Sequence, residues 1–159
     1  MRCRFILALV LSLCVTFLPG PLPAQTRHDT LEALRAMQSA CKSEITYDRY
    51  VSALDDLQSQ LKGFFDSKES ENNLEFSIAV ERALVAYQST FAVWRSTVEY
   101  GQESVNSDHP TIRKMLYTYP EAKSLFSQDG HADIRKLIVF FMDKADSRIS
   151  EAKRLMGKR

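Results

Sequence analysis

The sequence predicts an all-α fold, an up-and-down antiparallel bundle of four main helices, one of them broken by proline, behind a short N-terminal helix. Three observations point there. Apolar residues recur at gaps of three and four over most of the chain beyond residue 25. No sustained apolar–polar alternation marks a strand. The polar connections between the periodic segments are short, which favours antiparallel neighbours.

The first helix is expected from Asp29, with Asp29 and Glu32 as a capping box and Leu31, Leu34, Met37 and Cys41 as its apolar face. The second spans Tyr47 to Phe65. Its Tyr47, Tyr50, Leu54, Leu57, Leu61 and Phe64 alternate gaps of three and four, the seam of a helix packed lengthwise on others. Asp66 to Asn73 is polar and reads as a turn, with Asn72 and Glu75 placed to cap the third helix. That helix carries Phe76, Val80, Leu84, Tyr87, Phe91, Trp94 and Val98 and stops at Gly101. Pro110 suits the first turn of a fourth helix, which Pro120 divides into Thr111–Thr118 and Glu121–Phe126. Asp129-Gly130 forms the last turn. The final helix runs from Ala132 to Met156 along Ile134, Ile138, Phe141, Ala145, Ile149 and Ala152.

Ahead of these helices lies a different kind of segment. Arg2 and Arg4 precede an apolar run from Phe5 to Leu18, followed by Pro19-Gly20-Pro21 and then Leu22-Pro23-Ala24. That is the layout of a secretory signal peptide over residues 1–24, cut after Ala24 and leaving one domain over 25–159. The run is too short to span a bilayer comfortably. Cys14 lies inside it behind Leu13, a poor context for a lipoprotein cysteine. The expected location is therefore the bacterial periplasm or the exterior.

The chain has 21 basic and 20 acidic residues. Loss of Arg2 and Arg4 would leave the balance slightly acidic, which argues against a nucleic-acid partner. Lys153, Arg154, Lys158 and Arg159 suit the end of a helix, where positive charge complements the dipole. Cys3 and Cys14 would leave with the leader. The remaining Cys41 cannot form an internal disulfide, so stability must come from a packed core.

An up-and-down arrangement would gather Cys41, Tyr47, Tyr50, Trp94, Arg95, Tyr100 and His109 at one pole. Phe64, Phe65, Leu74, Phe76, Leu125, Phe126 and Ile134 would meet at the other. Tyrosine and tryptophan combine contact area with a polar tip. Tyr47, Tyr50, Trp94, Arg95, Tyr100 and His109 are thus the candidate ligand- or partner-binding residues, against the ordinary alternative that the rings fill the core.

The segments Thr46-Tyr47-Asp48-Arg49-Tyr50, Val93-Trp94-Arg95 and Tyr119-Pro120-Glu121-Ala122-Lys123 precede an alanine-bearing terminal helix. In these the chain resembles small exported bacterial α-helical proteins of uncharacterised function. The resemblance implies an exported helical domain over most of the mature chain, and carries no catalytic residue.

Familiar catalytic and cofactor motifs do not occur in the sequence. Cys-x-x-Cys-His for covalent haem and Glu-x-x-His for a di-iron bundle do not occur. His28, His109 and His131 fall at helix ends, and Met37, Met115 and Met142 give no matched haem pair. His109 beside Asp108, or His131 with Asp129 and Asp133, would supply part of a zinc site but reads better as solvated helix-start groups. The pairs Asp55–Asp56 and Glu69–Glu71 read as solvated faces. Serine-hydrolase elbows, phosphate-binding glycine loops and thiol–disulfide motifs are also missing.

The expectation is a non-enzymatic helical-bundle binding or interaction protein, with no cofactor. Its ligand would be a small apolar or aromatic molecule, or its partner a protein, including a second copy of itself. The rival readings are a metal or haem carrier with irregular ligands and an enzyme using Cys41 or His109.

Overall fold

The computed structural model describes residues 26–43 and 45–157. The leader, its cut at Ala24, Cys3, Cys14, Lys158 and Arg159 lie outside the described residues. Most of the described chain is helical: α1 (Arg27–Lys42), α2 (Tyr47–Phe65), α3 (Lys68–Asn72), α4 (Leu74–Tyr100), α5 (Pro110–Thr118), a 3-10 helix (Pro120–Leu125) and α6 (Ile134–Met156). Two short strands, β1 (Ser104–Asn106) and β2 (His131–Asp133), pair antiparallel. None of these helices is long and apolar enough to cross a membrane.

The apolar seams are buried largely as the spacing requires. Tyr50, Leu54, Leu57, Leu61 and Phe64 of α2 all lie in the core. α4 is buried on more than the expected stripe. Ala79, Ala83, Ala86, Thr90 and Val93 join Phe76, Val80 and Tyr87 inside, while Val98 stays exposed. α4 and α6 form the most extensive pairing in the molecule. Alanines at buried positions of both (Ala83 and Ala86, Ala145 and Ala152) let helix axes approach closely.

Helix starts differ from expectation for identifiable reasons. α1 begins two residues early because Thr26, not Asp29, is its N-cap. The Asp29 N–H donates to Thr26 Oγ1 (3.2 Å), and the Asp29 carboxylate accepts from the Thr26 N–H (3.1 Å). Those bonds hold the Asp29 carboxyl below its ordinary range. Glu32 pairs with Arg35 instead (2.6 Å). The polar stretch 66–73 contains α3. Its Ser70 is buried against Ser77, whose hydroxyl donates to the Ser70 carbonyl at 2.8 Å. Asn73 turns its amide back to the Glu69 carbonyl (2.8 Å) and leaves α4 without a side-chain cap. α6 starts at Ile134, because Asp133 accepts from the N–H groups of Arg135 and Lys136.

The larger departure is the segment between α4 and α6. Its two short helices lie within a residue of the expected Thr111–Thr118 and Glu121–Phe126, but the segment as a whole turns back on itself. α5 leaves the end of α4, and Tyr119 anchors its far end by donating to the Arg82 carbonyl (3.1 Å). The 3-10 helix is tied to α6 by Glu121 and Lys144 at 2.6 Å. The chain then comes back to where it left: Ser104, Val105 and Asn106 pair with Asp133, Ala132 and His131. The Ile134 N–H donates to the Glu103 carbonyl at 3.1 Å. Ile134 therefore sits beside the end of α4, and Leu125 shares a hollow with Arg135 and Val139. The expected opposite pole keeps its Phe64–Phe65 and Phe64–Phe76 contacts, each at 5.6 Å, but Leu74 is exposed.

Two glycines permit these connections. Gly101 ends α4 at φ 63° with open space around it. Gly130 has φ 79°, and an added Cβ would lie 2.9 Å from Ser107 Oγ. Alanine at either site should cost about 1 kcal/mol in urea unfolding, from the left-handed backbone alone. Gly130→Ala should also speed hydrogen exchange of the Ser107 N–H, which donates to the Gly130 carbonyl at 2.8 Å.

Two buried tyrosines give a second prediction. The Tyr50 hydroxyl donates to the Tyr87 carbonyl at 2.8 Å, whereas the buried Tyr87 hydroxyl has no hydrogen-bond partner among the described residues. Tyr50→Phe should destabilise by about 1 kcal/mol, and Tyr87→Phe should be neutral or stabilising by a similar amount. Urea midpoints of the two variants against the parent check the contrast.

Candidate functional site

The six candidate residues divide into two groups around the last three turns of α4. Tyr47, Tyr50 and Trp94 belong to a ring cluster between α2 and α4 that also includes Phe91. Tyr50 lies 5.4 Å from Trp94, Tyr47 meets Trp94 edge-on at 5.8 Å, and Tyr47 stacks on Phe91 at 6.1 Å. Tyr50 is fully buried, Tyr47 and Trp94 half-buried. Burial pushes both tyrosine hydroxyls above their ordinary range, so neither is a ready proton donor. This cluster is largely packing.

Arg95, Tyr100 and His109 form the other group. Successive helical positions differ by about 100°, so Arg95 leaves the helix on a different side from Trp94. There it lies 5.7 Å above the Phe91 ring and 3.6 Å from Glu99. Together with Ser96, Tyr100, Asn106, His109 and His131 it borders a depression of about 450 Å³, within the range of small-molecule sites. Its floor includes Val105 and Ile112, both buried, and its rim includes Tyr100, 66% exposed.

Local chemistry explains why these groups converge. Gly101 turns the chain off α4 immediately after Tyr100. The pairing of Asn106 with His131 brings the second imidazole to the rim. Asn106 Oδ1 accepts from the Asp108 N–H at 2.7 Å, which leaves the Asn106 amide group facing His131 Nε2 at 3.4 Å. Pro110 then starts α5 with no side-chain cap, so its first turn borders the depression through Thr111 and Ile112.

Neither His131 nor Gln102 is among the candidate binding residues read from the sequence, where His131 figures only in a partial zinc site with Asp129 and Asp133. His131 is separated from His109 by 22 positions, and only the strand pairing brings it to this rim. A narrower groove on the Trp94 side is lined by Thr97, Glu103, Asp133, Arg135 and Ile138.

The suggested partial metal sites find other uses for their carboxylates. Asp108 pairs with Arg113 at 2.9 Å, Asp133 caps α6, and Asp129 accepts from the Ser127 hydroxyl, which holds its carboxyl below the ordinary range. Among the described residues, no group of three or more His, Cys, Asp or Glu side chains could hold a metal ion.

Cys41 is half-buried near the end of α1, away from the depression. Burial, with Asp146 nearby, raises its thiol to about 11. A thiol in that state is a weak nucleophile. Its alkylation in the native protein should be slow at neutral pH and should keep rising beyond about pH 10, where an exposed cysteine has levelled off. A pH–rate profile with a small thiol reagent, compared with urea-unfolded chain, checks this.

No protein-family model matches this chain, and neither a curated protein nor a solved structure matches it.

Proposed function

We propose that this chain is an exported, non-enzymatic binding protein whose ligand occupies the depression at the C-terminal end of α4. Export is the reading of residues 1–24, and 25–159 is taken as one domain. The up-and-down bundle is taken as α1, α2, α4 and α6, with α1 in the place the sequence reading gave to the proline-broken helix, and its interior serves stability. The observation that carries the binding reading is the convergence of Arg95, Tyr100, His109 and His131 from α4, the start of α5 and β2 around one concavity. These side chains are exposed, so burial in the core does not account for them.

Titration of ¹⁵N-labelled protein (residues 25–159) with indole and with benzoate tests the reading by NMR. Saturable shifts should concentrate on the amides of residues 102–112 and 131. Tyr100→Ala and His109→Ala should weaken them while leaving stability within about 0.5 kcal/mol, as expected for exposed positions. Shifts centred instead on the Leu125–Val139 hollow, or none that saturate, would remove the assignment.

A further inference from the structure

Resting on the binding reading above, we propose that the ligand is a small organic anion: a carboxylate or phosphate group carried on a flat carbon frame. The argument starts from the lining. Basic and acidic residues are nearly balanced over the whole chain, yet none of the residues lining the depression is acidic. Arg95, His109 and His131 supply its basic groups, and its neutral polar ones include Ser96, Gln102, Asn106 and Thr111.

Two nearby acceptors are already engaged. Asp108 is drawn to Arg113, and the Asn106 carbonyl oxygen is used by the Asp108 N–H. Glu99 reaches Arg95 only at 3.6 Å, longer than a good hydrogen bond. A guanidinium has five N–H donors, so this one contact leaves most of them available. The uncapped first turn of α5 brings partial positive charge to the rim, opposing the partial negative charge at the end of α4, so the side chains Arg95, His109 and His131 set its sign. The lining holds three basic groups and no carboxylate to balance them, and an oxyanion is the ligand chemistry that matches them together.

The remainder of the site describes the rest of the ligand. Tyr100 presents a large exposed ring, and Val105 and Ile112 form an apolar floor. That combination accommodates a ring or a short planar chain attached to the anionic group. A neutral aromatic molecule would leave the Arg95 side of the depression unmatched.

Four ring compounds of similar size separate the alternatives: benzoate, phenyl phosphate, benzyl alcohol and benzylamine, each titrated at constant ionic strength and followed at the amides of residues 102–112. Benzoate or phenyl phosphate should bind at least about tenfold more tightly than benzyl alcohol, and whichever is tighter identifies the head group. Arg95→Gln should remove most of that preference. Glu99→Gln should strengthen anion binding roughly two- to fivefold by releasing Arg95, a gain that a merely structural role for the pair would not produce. Equal binding of benzyl alcohol, or preference for benzylamine, overturns the anion assignment and leaves the depression as a binding site. Failure of all four to shift these amides overturns both.

Discussion

The pairing of α4 with α6 is the contact on which the other elements depend. α4 is long and carries buried residues on more than one face, so it cannot rest against a single neighbour. α2 supplies a large-residue seam for one side, with Tyr50, Leu54, Leu57, Leu61 and Phe64. α6 lies along α4 with alanines among its buried positions, and close approach of two helices brings many weak dispersion contacts into range. α1 packs against α2, α4 and α6 through Leu31, Leu34 and Met37. The excursion made by α5 and the 3-10 helix then covers what remains. Tyr119, buried, meets Phe141 at 5.5 Å and bonds to the backbone of α4, so one side chain ties the excursion to both central helices.

This frame separates two uses of polar side chains. In the interior, hydroxyls bond locally: Tyr50 to the Tyr87 carbonyl, Ser77 to the Ser70 carbonyl, Thr90 to the Ala86 carbonyl. The Tyr87 hydroxyl is the exception, and burial raises it far above its ordinary range, which keeps it protonated. At the C-terminal end of α4 the backbone leaves its helix through Gly101, and polar groups project into a concavity instead of a core. Exposed charge there is cheap to maintain, because water solvates it until a ligand replaces that water. The same distinction separates Trp94 from Arg95, adjacent in sequence but committed to a ring cluster and to the open depression respectively.

Legibility in the sequence followed interaction range. The seam of α2 and the end of α4 at Gly101 were both readable, since a helix's period and its left-handed stop are local properties. The start of α1 was misplaced because the three-residue spacing of a capping box is met by both Thr26–Asp29 and Asp29–Glu32. The strands leave no such mark, because three residues are too few to show alternation and the paired positions lie 25 to 29 residues apart with no hairpin turn between them. Of the six candidate site residues, Arg95, Tyr100 and His109 do border one concavity, while Tyr50 is enclosed and Tyr47 and Trp94 mainly pack against it and Phe91. His131 had no local signal that would have joined it to them.

What the sequence by itself determined is the helical character of the chain, the buried seams and most helix ends, all set by spacing and by residues within a turn of one another. Tertiary structure alone decided that the segment after Pro110 folds back on itself and returns through a strand pair, which places His131 and Ile134 at the end of α4. The reason is physical. Strand pairing and the Tyr119–Arg82 bond join residues 25 to 37 positions apart, and their worth depends on loop closure and on surfaces that exist only once α4 and α6 have come together.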